Sequence, residues 1–444
     1  MGRTLTRSNA HFTRARTRLP LGVSSNFRYW GEDATLYVKR GAGARIWDID
    51  DNEYIDYRLA YGPCILGYAD PRVDAAAAAG IAVGGVFALA TEMEYTVAER
   101  IARMVPAAER IRFSNSGTEA VMAALRLARA ATCKDGYILV EGGYHGVFDG
   151  ALWYADVEGW EPAYGEPGLL PYGEGVPLLV RQLIHMVPMN DADRLEYVLK
   201  NHCDEIGAML IEPIMGNCCG IKAERQYLQD VRRLCDAYGV VLIIDEVKTG
   251  FRVARGGVQE LMGVKADLCT FAKALANGYP ISVVAGRADI MDKVGDGVVH
   301  GGTFTAHSVA LAAAAKTLEI LEETPALASI AAYGRRLQDG LHRILARHGI
   351  AHSFAGHPSM SGLFFSETPP RNYRDWKRAD YSFYDALAPE LHELGILVEP
   401  DSREPWFVCE AHDEACLGET LEKFEQAVRA TLRKLPEGES RRVS

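Results

Sequence analysis

Short runs of aliphatic residues alternate with stretches of helical periodicity from residue 111 to about residue 290. Ile206–Ile211, Val240–Ile244 and Leu268–Ala272 carry no charge and lack the in-out alternation of a half-exposed strand, so they read as strands buried on both faces. Between the first two, residues 224–238 place Leu228, Val231, Leu234 and Cys235 on one helical face, and Gly239 supplies the C-terminal cap. Strand, helix and strand in that order predict parallel βαβ units, hence an α/β fold with a doubly wound sheet and helices on both faces.

Outside this stretch the pattern changes. Residues 44–57 alternate apolar and polar positions around a turn-rich centre, a hairpin that opens a small β-rich region. Residues 92–104 space Tyr95, Ala98, Ile101 and Met104 along one helical face, with Pro106 marking the end. An alanine-rich helix runs to about Glu323. A second, over residues 325–348, aligns Leu327, Ile330, Leu337, Leu341, Ile344 and Leu345 and stops at Gly349, and a last helix covers residues 417–435. Residues 151–177 mix Gly, Pro and aromatics without a period, which predicts a long irregular loop of the kind that serves as a lid.

Composition narrows the class. With 444 residues, 48% hydrophobic and 24% charged, the chain reads as a soluble globular protein. A net charge of −11 argues against a nucleic-acid partner, and no stretch approaches the roughly 18 apolar residues of a membrane span. The first twenty residues hold Arg3, Arg7, Arg14, Arg16 and Arg18 and no acid, a transit-peptide composition, but without the apolar core of a secretory signal. Met1–Thr6 also fits the loose myristoylation pattern. The nine cysteines lack metal-ligand spacing, so no metal site is expected and reduced thiols in a cytoplasmic enzyme account for them.

The candidate chemistry lies where strands end. Lys273 follows the apolar run 268–272, at the edge where open α/β sheets bind ligands. A desolvated amine there loses part of its charge and becomes a nucleophile able to form a Schiff base; the plainer alternative is a solvated lysine. Ser116-Gly-Thr-Glu119 has the form of a capping box, and the free N–H groups of such a helix start suit a phosphate, although many helices begin this way without one. Tyr144, in Gly143-Tyr-His-Gly146, is placed to stack on a flat ring or simply to fill core. Asp245 ends the aliphatic run 240–244 and needs a partner, an arginine or a protonated ring nitrogen.

Taken with Pro20-Leu-Gly-Val23, Asp245-Glu-Val-Lys-Thr-Gly-Phe-Arg252 and Gly302-Thr303, these motifs resemble the class III, fold-type I aminotransferases that use pyridoxal 5′-phosphate, with the glutamate-1-semialdehyde aminomutase branch nearest. The resemblance spans nearly the whole chain. It implies a large domain over residues 66–325 and a smaller α+β domain built from residues 1–65 and 326–444. It also implies a homodimer with shared active sites. Lys273 would hold the cofactor as a Schiff base and carry protons, and Asp245 would keep the pyridine nitrogen protonated. Tyr144 and Val247 would cover the two ring faces, and Asn217 would bond the phenolic oxygen. Ser116, Gly117 and Thr118 would hold the phosphate, joined by Thr303 from the neighbouring subunit.

For the substrate, the resemblance points to Arg28 as a carboxylate anchor and to Glu404 and Tyr61 as pocket residues. Tyr61 stands where the aminomutase branch has Trp, and Gly150 replaces a serine. Three activities follow in order of preference. The first is ping-pong transfer of an amino group from an amino acid or amine to an oxo acid or ketone. The second is an intramolecular aminomutase, and the third is cofactor binding without turnover.

Overall fold

The computed structural model describes residues 3–158 and 166–435. Seven strands make the central sheet: β1 (Arg110–Ser114), β2 (Gly136–Val140), β3 (Ile184–Val187), β4 (Ile206–Ile211), β5 (Val241–Asp245), β6 (Leu268–Phe271) and β7 (Ser282–Gly286). Their spatial order is β1-β7-β6-β5-β4-β2-β3. Every residue of β2, β4, β5 and β6 is buried, as their largely aliphatic runs require, including Asp245 at the end of β5.

Successive residues of β5 serve opposite faces. Val241 and Ile243 join the core under the helix Gly117–Thr132, with Val121, Leu125 and Ala128. Leu242 and Ile244 join the core under the helix Arg225–Tyr238, with Leu228, Val231 and Leu234. Each such side chain contributes about 1.5–3 kcal/mol by leaving water.

The sheet departs from the expected parallel pattern at one strand. β7 runs antiparallel to both β6 and β1, whereas β5 is parallel to β4 and β6. Only residues 272–281 separate β6 from β7. A parallel crossover takes a dozen residues or more, so the chain turns back instead.

The expected hairpin forms as Arg45–Asp48 against Glu53–Asp56. Val38–Ala42 extends it on one side, and Ile396–Leu397 pairs in parallel with Glu53–Asp56 on the other, so the C-terminal region completes the N-terminal sheet. The arginine-rich start folds onto this sheet: Thr6–Ala15 is a helix, and the N–H groups of Arg7 and Ser8 donate to Asp50 at 2.6 and 2.8 Å.

Two predicted elements need correction. In the helix Glu92–Met104 the buried stripe is Val97, Ile101 and Met104, while Tyr95 is 69% exposed. At 100° per residue Tyr95 lies roughly 200° from Val97, so the two share no face. The stretch 151–177 is not wholly irregular, because Trp153–Asp156 pairs with Gly168–Pro171 as an antiparallel hairpin. The centre of that stretch, residues 159–165, lies outside the described residues.

Glu166, His185 and His202 meet beside β3, where all four imidazole nitrogens face a carboxylate oxygen of Glu166 or Glu205 within 2.7–3.3 Å. Among the described residues no helix is long and apolar enough to cross a membrane.

Arg252 ties the central sheet to both terminal regions. Its buried guanidinium donates to the carbonyls of Ser359 at 3.1 Å and Val408 at 2.9 Å, and to that of Gly62. A lysine's single nitrogen cannot stand where both guanidinium nitrogens do, and leaves some of these carbonyls unsatisfied at about 1–3 kcal/mol each. Arg252→Lys is therefore expected to lose on the order of 3 kcal/mol, read as a lower denaturation midpoint in urea at unchanged m-value.

Candidate active site

Five strand ends and their following turns converge at the C-terminal edge of the sheet. Gly117 and Thr118 follow β1, Tyr144 and His145 follow β2, Glu212 follows β4, and Asp245 ends β5. Lys273 comes two residues after β6. All seven line one cavity of about 140 Å³, together with Val121, Gly146, Val247 and Lys248.

Lys273 begins a short 3-10 turn, Lys273–Ala276, with φ +46°. A non-glycine residue held in the left-handed region costs about 1–3 kcal/mol, a strain typical of functional positions. Burial, reinforced by the charge of Lys248 and opposed by Glu404, Glu212 and Asp245, pushes its amine down to about 7.

Asp245 has no arginine partner among the described contacts. Its Oδ1 accepts from Thr270 Oγ1 and from the Val247 N–H, both at 3.0 Å, and its Oδ2 accepts from His145 Nδ1 at 2.8 Å. Thr270 sits opposite Asp245 in the β5–β6 ladder, so the sheet register itself supplies that hydroxyl. The carboxylate is thus fixed in direction, which a ring-nitrogen partner requires. His145 Nε2 is buried without a partner.

The start of the helix Gly117–Thr132 also lines the cavity. The capping box is half formed. Ser116 Oγ accepts from the Glu119 N–H at 3.3 Å, but Glu119 Oε2 reaches back one residue too far, to the Asn115 N–H at 2.6 Å. Ser116 is exposed and lies outside the lining, which Gly117 and Thr118 enter. The N–H groups of this first turn have no intrahelical acceptor and carry the positive end of the helix dipole. Thr118 Oγ1 accepts from the Val147 N–H at 3.2 Å, leaving its own proton to donate.

A Cβ at Gly146 would come within 2.4 Å of Thr118 Oγ1, and one at Gly117 within 3.1 Å of Val247. The glycines therefore set how close the walls approach. The donor set suits an anionic group at the helix start, a flat ring between Tyr144 and Val247, and a carbonyl beside Lys273.

A second cavity of about 180 Å³ adjoins the first through Tyr144, Lys248 and Lys273, and is completed by Phe27, Ala60, Tyr61, Asn217 and Glu404. Leu59, Ala60 and Tyr61 are all left-handed, with φ of +42°, +53° and +69°, so this wall also stores strain. Tyr61 donates to the Phe27 carbonyl at 2.7 Å and accepts from Arg58.

Of the substrate residues expected from sequence, Tyr61 and Glu404 line this cavity and Arg28 does not. Arg28 ends the short 3-10 turn Asn26–Arg28 and is exposed, while its neighbour Phe27 faces inward. Thr303 lies on an exposed turn outside both cavities.

His145, Glu212 and Lys248 also stand in the site, beyond the residues expected from sequence. Glu212 is buried, accepts from the Tyr144 N–H at 2.8 Å, and has its carboxyl pushed up by burial. Its position directly after β4 was the available signal. Lys248 donates to Glu404 Oε1 and Oε2 at 2.8 and 2.7 Å and to Asn217 Oδ1 at 2.9 Å.

Comparison with known proteins agrees with this geometry. The family model described as aminotransferase class-III matches residues 28–428. A glutamate-1-semialdehyde 2,1-aminomutase from Thermus thermophilus is 37% identical over 95% of the chain and 99% of its own length. An omega-transaminase from Sphaerobacter thermophilus, 31% identical, superposes with a TM-score of 0.88, covering 95% of this chain and 97% of that one. The FumI protein of Sphingopyxis sp. MTA144, solved in its PLP internal aldimine form, is 30% identical with a TM-score of 0.84, covering 96% and 97% of the two chains.

Proposed function

The chain belongs to the class-III aminotransferases, and on that premise we propose that it moves an amino group from an amine or amino acid to an oxo acid or ketone in two half-reactions, with pyridoxal 5′-phosphate as cofactor. The observation that carries this reading is the placement of Lys273 and Asp245 on the ends of adjacent strands, facing one cavity closed by a helix N-terminus.

The bound cofactor supplies an electron sink for the charge left when a proton leaves the substrate carbon. The chain's residues do the rest. Asp245, oriented by Thr270, Val247 and His145, would accept a hydrogen bond from the pyridine nitrogen and favour its protonated form. Tyr144 and Val247 would pack against the ring, and Gly117 and Thr118 would hold the phosphate through backbone N–H groups and a hydroxyl. Lys273 would hold the cofactor by its aldehyde, and its neutral amine can take and return a proton.

This assigns Lys273 a neutral amine near pH 7. At its ordinary value a lysine is neutral in roughly one molecule in 3,000 at that pH; at about 7 it is neutral in about half. In enzyme stripped of cofactor, the rate of pyridoxal phosphate capture is expected to rise about tenfold per pH unit below 7 and to level off above it. Stopped-flow absorbance reads this. A rate still climbing past pH 9 would argue for a solvated lysine.

The second reading, an aminomutase, draws on the 37% identity to the Thermus thermophilus protein and on Glu404 in the pocket. Tyr61, Gly150 and the capture of Glu404 by Lys248 favour the transferase instead. An assay with a single amino-aldehyde substrate and no acceptor separates them, because only an aminomutase turns over repeatedly there.

A homodimer completes the proposal. Ile81, Phe87, Leu89 and Tyr95, close together in sequence, each leave a large apolar side chain exposed, and Thr303 sits on an exposed turn available to a partner's phosphate site. Light scattering should give twice the chain mass, and Thr303→Ala should weaken cofactor retention about tenfold, the loss of one hydrogen bond to a charged group.

A further inference from the structure

Lys248 is an unusual occupant of the substrate cavity. Its ammonium is buried, and its three protons are all spent, two on the carboxylate of Glu404 and one on Asn217. The partners come from distant parts of the chain, Lys248 from the turn after β5 and Glu404 from the loop preceding Trp406–Phe407. Space for the lysine is built in: a Cβ at Gly216 would stand 2.1 Å from both Cδ and Nζ of Lys248.

The consequence is electrostatic. Apart from Lys273, the cavity beside Tyr61 is lined by Phe27, Ala60, Tyr61, Tyr144 and Asn217 and by this one ion pair. Glu404 is the sole acid among those lining residues, and both its oxygens face Lys248. A substrate amine reacting at Lys273 therefore meets mainly apolar and aromatic walls, with no carboxylate of this cavity open to a second ammonium.

We infer that Lys248 occupies Glu404 so as to set the substrate class, admitting monoamines with apolar or aromatic side chains and rejecting substrates that carry a second ammonium group. This rests on the aminotransferase reading and sharpens it. Displacing Lys248 opens Glu404 to the distal ammonium of a diamine, with its two oxygens as acceptors.

The test uses cofactor-loaded enzyme with 1-phenylethylamine as monoamine and 1,4-diaminobutane as diamine. Both are read as the equilibrium amine-induced change in cofactor absorbance and as the single-turnover rate. Wild type should favour the monoamine. Lys248→Met should raise the diamine-to-monoamine ratio of affinities about tenfold or more, and Lys248→Met combined with Glu404→Gln should abolish that gain. Gly216→Ala, which pushes Lys248 aside while keeping its charge, should move the ratio in the same direction and serves if Lys248→Met does not fold.

A ratio unchanged in the folded single variants, or a gain that persists in the double variant, would overturn the inference. Wild-type enzyme that binds both amines but converts neither would instead overturn the aminotransferase reading, and the binding ratio would still decide the role of Lys248.

Discussion

Replacing Lys273 by alanine is expected to slow the amine half-reaction by about 10²–10⁴-fold, the contribution a positioned general acid–base makes. Lys273 is the lysine that follows β6, and burial pushes its amine down to about 7, where the neutral form is available to take a proton. Lys248 shares the cavity, but its protons are committed to Glu404 and Asn217. Single-turnover absorbance with excess amine measures the effect. Thermal stability of the cofactor-free enzyme should not fall, because the substitution removes a buried amine whose charged form burial disfavours, while alanine inherits the same left-handed backbone. A rate within tenfold of wild type would take the proton transfer away from Lys273.

The second large effect is at Asp245. Asp245→Ala should lower the same rate by about 10²–10³-fold, the range seen when a preorganised electrostatic partner of the reacting centre is lost. The carboxylate is held by Thr270, by the Val247 N–H and by His145. Removing it would, on the proposed role, strip the ring nitrogen of its counter-charge, and it leaves His145 Nδ1 without that acceptor. A cofactor methylated at the ring nitrogen carries a permanent charge and should restore part of the rate in Asp245→Ala. If it restores none, Asp245 acts by holding His145 rather than through the ring.

Much of this site is legible in the chain because its residues follow strands. Lys273, Asp245, Tyr144 and the Ser116–Glu119 start are each announced by a local pattern, an apolar run and then a polar residue, and the sheet brings those ends together. What local pattern does not carry is pairing across sequence distance. Lys248 and Glu404 are 156 positions apart, and neither segment signals that one will neutralise the other. The strong Thr270–Asp245 contact depends on strand register, which is set only when β5 and β6 pair.

Other departures have the same origin. The antiparallel course of β7 follows from a connection too short for a crossover, visible only once both strand limits are known. Tyr95 falls in line with Ala98, Ile101 and Met104 by helical spacing, as Val97 does with Ile101 and Met104. The choice between the Tyr95 and Val97 faces is made by tertiary packing rather than by spacing. Arg28 and Phe27 illustrate the problem at its smallest: a short 3-10 turn sends one side chain into the cavity and its neighbour to the surface.

The central claim is that Lys273, rather than its cavity neighbour Lys248, holds the cofactor. Borohydride reduction of the pyridoxal phosphate-loaded enzyme fixes the carbonyl–amine link permanently, and peptide mass spectrometry then locates it. The account predicts the phosphopyridoxyl mass on the peptide containing Lys273. The same mass on the peptide containing Lys248, or on neither, would contradict it.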